Sequence, residues 1–131
     1  MEMENGWVII SACMAAGIFV GVAVFQVLLS LGRPLGEYAM GGYHKVLPGK
    51  LRLVSSINAA ILLLMGFIVL QHAGLISGGS FFANDLMMWG ITAFLGLNTA
   101  ANLASRSHKE KRVMAPVSAI AFALCLIVAL S

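Results

Sequence analysis

A set of uncharged polar side chains interrupts the apolar stretches of this 131-residue sequence, and its members lie at similar depths within those stretches. Asn98 and Asn102 are four residues apart, so a helix presents both on one face. A carboxamide without a hydrogen-bond partner costs roughly 2–7 kcal/mol in an apolar environment. The members should therefore point at one another, and we call them the polar cluster. They are Gln26, Ser55, Asn58, Asn98, Asn102 and Ser118.

The polar cluster has two interpretations. In the first, its hydrogen bonds fix the register of packed helices, at roughly 0.6 kcal/mol for each bond. In the second, its side chains line a pocket for a small solute or a lipid headgroup. Solute pathways in membranes are usually marked by an ionisable residue, and the apolar stretches contain none beyond Arg52, at the start of the second stretch. The packing interpretation is therefore favoured.

The segment between the first two apolar stretches, residues 32–49, is rich in glycine and carries further polar groups. We expect a short interfacial helix over 34–40, followed by a break at Gly41 and Gly42, because glycine tolerates positive φ. The segment acts either as a lid over the polar cluster or as an anchor that contacts lipid headgroups, and the anchor is favoured. The residues assigned to this role are Glu37, Tyr38, Tyr43 and His44.

Small residues at four-residue spacing form a stripe along the first apolar stretch. The stripe consists of Cys13, Gly17 and Gly21, and such a pattern permits close contact between membrane helices. Gln26 lies nine residues after Gly17 and therefore faces the opposite side of a helix. If Gln26 faces the interior of a bundle, the stripe faces outward and is available to a second protomer. A homo-oligomer, with a dimer favoured, is the expected assembly.

The sequence shows no motif for covalent catalysis, metal binding or cofactor binding. It contains no recognisable nucleophile–base pair, phosphate-binding loop or pair of carboxylates. His44 and His108 lie in loops predicted on one side of a membrane and His72 on the other, so converging metal or haem ligands are not expected. We expect no metal, no cofactor and no enzymatic activity.

Four apolar stretches contain the polar cluster and the small-residue stripe. These stretches cover most of the chain. The stretches are 7–31, 51–71, 86–105 and 113–131, and about 20 residues suffice to cross a bilayer. Hydrophobic residues make up 60% of the chain and charged residues 10%, whereas soluble domains contain about 25% charged residues. We predict an all-α integral membrane protein in which residues 1–131 form one antiparallel bundle of four transmembrane helices.

A helix-start signal stands before the fourth stretch. Ser107 and Glu110 match a capping box, in which the serine side chain caps the helix and the glutamate reaches back to the backbone N–H of Ser107. The connection between the third and fourth helices is therefore predicted to be a tight turn.

The basic residues predict the orientation in the membrane, because cytoplasmic loops collect Lys and Arg. All eight lie in two clusters, either between apolar stretches or, in the case of Arg52, at the start of one. Both of these loops are expected in the cytoplasm and both termini outside, in the plasma (inner) membrane. Each cluster lies beside a span and would meet anionic lipids, so membrane lipids rather than nucleic acids are the expected partners. The clusters are Arg33, Lys45, Lys50 and Arg52, and Arg106, Lys109, Lys111 and Arg112.

Two functions follow from this pattern. The favoured one is a non-enzymatic accessory or assembly subunit that acts through helix packing. The alternative is a transporter or channel for a small solute or lipid, which uses the polar cluster in the cytoplasmic leaflet. The sequence identifies no particular substrate, ligand or partner protein.

Overall fold

The computed structural model describes residues 2–76 and 85–131, and this part of the chain is helical apart from short connections. By length and composition, its four long helices can each cross a membrane. The all-helical, four-span prediction is confirmed, and the chain is a multi-pass membrane protein. The long helices are α1 (Glu2–Ser30), α2 (Gly49–His72), α3 (Asp85–Leu103) and α4 (His108–Leu130), and two 3-10 turns span Gly36–Tyr38 and Met40–Gly42.

Consecutive helices form two antiparallel hairpins. Ser55, near the start of α2, donates a hydrogen bond to Gln26, near the end of α1. Asn102, near the end of α3, donates to Ser118 in the first half of α4. The two hairpins join where α1 packs against α4, whereas α2 and α3 meet over only a few residues. The bundle is therefore less tightly closed between α2 and α3 than elsewhere.

The core of the bundle is built around small side chains and one aromatic ring. Ala12 and Ala15 of α1 are fully buried beside Phe19, and Gly66 of α2 faces Phe19 at ordinary contact distance. Large apolar side chains instead cover the outside, as illustrated by Leu97, which is 73% exposed. An apolar exterior of this kind suits contact with lipid.

The start of α4 agrees with the predicted cap at Ser107, but only half of the capping box is present. The helix begins at His108, ahead of the predicted span 113–131, so Glu110 lies in its first turn. Ser107 caps the helix as predicted, and its Oγ accepts a 3.3 Å hydrogen bond from the N–H of Glu110. The reciprocal half of the capping box is wrong, because the N–H of Ser107 donates to Ser105 Oγ at 3.1 Å. The carboxylate of Glu110 has other partners.

The loop between α1 and α2 also differs from its prediction. In place of one helix over 34–40, two 3-10 turns flank Ala39, whose backbone is extended with φ −142° and ψ 156°. Ala39 and Leu47 are buried against Leu29 in a small apolar cluster, and this burial draws the loop back onto the end of α1. The predicted break is present, with φ of 79° at Gly41 and 76° at Gly42.

Candidate functional site

A cavity of about 350 Å³ lies at the end of the bundle that carries the two basic loops. All four long helices and the loop between α1 and α2 contribute to its wall. The wall combines apolar side chains, among them Val22, Phe25 and Met114, with a larger group of polar ones. The polar lining residues are Gln26, Tyr38, Asn58, Asn98, Asn102, Ser105 and Glu110.

Four of the six polar-cluster residues line this cavity, and the other two lie behind it as partners. Ser55 Oγ donates 2.6 Å hydrogen bonds to the backbone oxygen and to Oε1 of Gln26. Asn102 Nδ2 donates to Ser118 Oγ at 3.0 Å and to the backbone oxygen of Met114 at 3.3 Å. These bonds tie α1 to α2 and α3 to α4.

Asn58 and Asn98 are different from the rest of the polar cluster. Both line the cavity, yet neither side chain forms a hydrogen bond with any residue in the described part of the chain. They stand on α2 and α3, the two neighbouring helices that pack least closely. The expectation that all cluster members pair with one another therefore holds for two pairs, whereas two carboxamides are left facing the cavity.

Glu110 supplies a buried carboxylate to the same cavity. The residue is only 6% exposed. Its Oε2 accepts hydrogen bonds from the N–H of Gly41 at 2.9 Å and from Ser105 Oγ at 2.8 Å. Within residues 6–76 and 85–131, no side chain or backbone group donates to Oε1, and no Lys, Arg or His forms an ion pair with this carboxylate.

Sequence reasoning missed Glu110 and Ser105 as site residues. The capping-box pattern assigned the carboxylate of Glu110 to the backbone, which hid its second use. A signal was nevertheless present, because Glu110 precedes Ser118 by eight residues, which places the two about 80° apart around α4 and so on the same half of the helix. A carboxylate is also favoured in the first turn of a helix, where the helix dipole is positive.

The loop between α1 and α2 closes over one side of the cavity, to which Tyr38 and Gly41 contribute. Polar contacts hold it to the turn between α3 and α4. Ser107 Oγ donates a 2.5 Å hydrogen bond to the backbone oxygen of Glu37, and Lys109 forms an ion pair with the Glu37 carboxylate. The hydrogen bond from Lys109 and its charge hold the pKa of Glu37 below the usual value of 4.5.

The residues assigned to a lid or anchor thus separate into three kinds. Tyr38 lines the cavity, and Glu37 holds the loop in place. Tyr43 is exposed, and its ring lies 4.2 Å from the guanidinium of Arg106 in a cation–π contact. His44 has an exposed side chain and does not line the cavity.

The stripe of Cys13, Gly17 and Gly21 lies on the exposed face of α1. A methyl group added at Gly17 or Gly21 would meet no described atom within 4 Å. Cys125 of α4, by contrast, is fully buried in the core. Within one protomer Cys13, Gly17 and Gly21 are thus all exposed, and Gly21 also lines an apolar crevice between α1 and α4.

An apolar crevice of about 360 Å³ adjoins the cavity between α1 and α4. The cavity and the crevice share four lining residues, so they lie side by side with those side chains between them. The shared residues are Val22, Phe25, Tyr38 and Met114, and Val113 and Val117 extend the crevice along α4.

In residues 6–76 and 85–131, no three His, Cys, Asp or Glu side chains converge as a metal site would require. Comparison of the chain with protein-family models, curated proteins and solved structures gives no match. The function of the protein therefore has to be argued from the geometry of the cavity and its loop.

Proposed function

We propose that this multi-pass membrane protein is a transporter or channel that binds a small solute or a lipid headgroup in the polar cavity. The observation that carries the proposal is the pair of carboxamides on Asn58 and Asn98, which line the cavity without a hydrogen-bond partner among the described residues. Polar side chains in a membrane bundle that serve only packing should be paired, because an unpaired amide is costly there. A bound ligand supplies the missing partners.

The proposed site opens toward the cytoplasm. Both basic clusters lie at the cavity's end of the bundle, and the preference of cytoplasmic loops for Lys and Arg assigns that end to the inner side of the plasma membrane. Both termini are then external. In this orientation the apolar crevice faces the cytoplasmic leaflet of the bilayer.

The loop between α1 and α2 is the proposed lid of the site. Its contacts with the α3–α4 turn are few and polar, and the ion pair of Glu37 with Lys109 is exposed to solvent. Exposed ion pairs are weak, so opening the loop on that side chiefly breaks the hydrogen bonds of Gly41 with Glu110 and of Ser107 with Glu37. Its apolar side remains attached to α1 through Ala39, Leu47 and Leu29. The loop can therefore open by separating from the α3–α4 turn while its apolar side stays packed on α1.

The second candidate is an accessory or assembly subunit that acts through helix packing. It is supported by the two closed pairs, Gln26 with Ser55 and Asn102 with Ser118, which do fix helix register. The exposed stripe of Cys13, Gly17 and Gly21 supports a homodimer, since a two-fold interface uses the same surface on both protomers. Dimerisation is compatible with either function.

Native mass spectrometry of protein purified from its own membranes tests the binding function. We expect wild-type protein to retain a molecule that Asn98→Leu loses. Thr99→Leu is the matched control, because Thr99 is the next residue on α3 and lies outside the cavity wall. A retained molecule that survives Asn98→Leu and Asn58→Leu, or wild-type protein that retains nothing, contradicts the proposal.

A further inference from the structure

The charge of the cavity carries information about the ligand. We propose that the ligand is a small organic cation with an ammonium group, and that Glu110 is its counter-charge. This inference rests on the proposed binding function and goes beyond it, because it names the chemical class of the ligand.

The Glu110 carboxylate has no ion-pair partner among the described residues. It accepts two hydrogen bonds on Oε2, from Gly41 and Ser105, and none on Oε1 from the described residues. Among the described residues that line the cavity, Glu110 is the only one with a charged side chain. A buried charge needs compensation, and no Lys, Arg or His among the described residues forms an ion pair with Glu110, which leaves the two hydrogen bonds and the N-terminus of α4 as its support.

The second argument is the chemistry of the surrounding wall. An ammonium group has three donors and no acceptor. Glu110 Oε1 and the carboxamide oxygens of Asn58 and Asn98 offer acceptors that no described residue uses. The ring of Phe25 is also in the wall, and aromatic faces attract cations, whereas the ring of Tyr38 already has Lys109 Nζ 5.8 Å from its centroid. An anion would find only uncharged donors opposite a carboxylate.

The third argument is size. A cavity of about 350 Å³ is far larger than a bare ion and falls within the usual range for organic ligands. Its apolar residues Val22 and Met114 suit the carbon skeleton of an amine. Divalent metal sites usually bring several carboxylates together, and Glu110 is the only carboxylate among the described residues of the wall.

An ammonium group reaches this cavity from either of two sources. A free amine would enter from water once the loop opens. The headgroup of an aminophospholipid would enter from the bilayer, with its chains in the apolar crevice that shares Phe25, Tyr38 and Met114 with the cavity. Both sources present the same charge to Glu110, so the experiment has an arm for each.

The first arm compares three probes of similar size and different charge by isothermal titration of the detergent-solubilised protein. We expect propylammonium to bind at least about ten-fold more tightly than 1-propanol or propionate, since it alone forms charge-assisted hydrogen bonds with Glu110. Equal affinity for the neutral or the anionic probe would overturn the proposal. This comparison uses only wild-type protein and does not depend on the folding of a variant.

The second arm offers equimolar phosphatidylethanolamine and phosphatidylglycerol with identical chains, and native mass spectrometry counts the lipid that stays bound. Preferential retention of phosphatidylethanolamine identifies the lipid source, and binding of propylammonium alone identifies a free amine. The inference is wrong if propylammonium binds no better than 1-propanol or propionate and phosphatidylethanolamine is retained no better than phosphatidylglycerol.

Glu110→Gln is the decisive variant, because it removes the charge and keeps a similar shape and an oxygen acceptor for Gly41 and Ser105. We expect a loss of at least about ten-fold in affinity for whichever cation binds. Asp85→Asn is the matched control, since Asp85 lies at the start of α3, at the opposite end of the bundle, and its removal should leave affinity unchanged. Unchanged affinity in Glu110→Gln would overturn the proposal.

The outcomes also separate this inference from the binding function itself. If Asn98→Leu abolishes retention of a ligand that Glu110→Gln still holds, the cavity is a binding site whose ligand is not selected by charge. If neither variant alters what the protein retains, the binding function fails together with the inference.

Discussion

The backbone N–H of Gly41 donates a 2.9 Å hydrogen bond to Oε2 of Glu110, although 69 positions separate the two residues in the chain. The bond joins the loop that covers the cavity to the carboxylate inside it. Any change at this carboxylate, whether the approach of a cation or the loss of charge, therefore acts on the loop directly. The loop and the binding site form one unit.

The fit of the loop against the α3–α4 turn depends on Gly42. Its φ is +76°, and an added methyl group would lie 2.5 Å from Cβ of Ser107. We expect Gly42→Ala to destabilise the protein by more than the roughly 1–2 kcal/mol that positive φ costs a residue with a side chain. Denaturant unfolding in detergent measures this difference.

Gly74→Ala is the control for that experiment. Gly74 has a similar φ of +82°, but an added methyl group there meets no described atom within 4 Å. It should therefore show the backbone cost alone. Equal destabilisation by Gly42→Ala and Gly74→Ala would mean that the loop does not pack against Ser107 as the structure has it.

The ion pair of Glu37 with Lys109 makes the stability contribution of the loop dependent on pH. Because the folded pKa of Glu37 is lowered, the contribution is present above the ordinary carboxyl pKa of 4.5 and disappears as the pH falls through the lowered value. We expect wild-type protein to unfold at a higher temperature than Glu37→Gln at neutral pH and the two to converge in acid. A difference that persists unchanged in acid speaks against the ion pair.

Topology is open to a labelling test. We expect cysteines introduced as Lys45→Cys and Lys109→Cys to be inaccessible from outside the cell, and those introduced as Asn5→Cys and Ser80→Cys to be accessible, because the basic loops belong in the cytoplasm. Ser80 lies outside the described residues. An impermeant maleimide is applied to intact cells in a background without the native cysteines. Labelling at position 45 or 109 before permeabilisation refutes the orientation.

Cys13 reports on the proposed dimer. It is exposed on α1, whereas Cys125 is buried, and a disulfide requires Cα atoms within about 7 Å. Mild oxidation should give a crosslinked dimer that survives Cys125→Ala and disappears with Cys13→Ala. An intramolecular bridge between the two cysteines in the monomer band would place the stripe inside the bundle and refute the dimer.

Much of the architecture could be predicted from the sequence. The apolar stretches indicated four spanning helices, and Ser107 marked the start of the last one, because hydrophobic length and helix capping are local properties. The polar cluster was also recognised at the correct end of the helices. These features depend on residues that are close in the chain or at helical spacing.

Which members of the polar cluster pair with each other, and which face the cavity, could not be predicted in the same way. Whether Asn98 finds a partner depends on how far α2 stands from α3, and that distance follows from the packing of both helices against α1 and α4. Glu110 was missed for a related reason, since its partner Gly41 belongs to a distant loop. The path of that loop depends on the burial of Ala39 and Leu47, which no local pattern revealed.

The central claim is that the free carboxamides of the cavity serve a ligand and not the packing of the helices. The most direct test compares the unfolding free energies of Asn98→Leu and Asn102→Leu in ligand-free protein. The two residues lie one turn apart on α3, but only Asn102 bonds another helix, through Ser118. We predict that Asn102→Leu loses about 0.6–1.7 kcal/mol, whereas Asn98→Leu stays within about 0.5 kcal/mol of wild type or becomes more stable. An equal loss in both variants would contradict the claim and return Asn98 to a packing role.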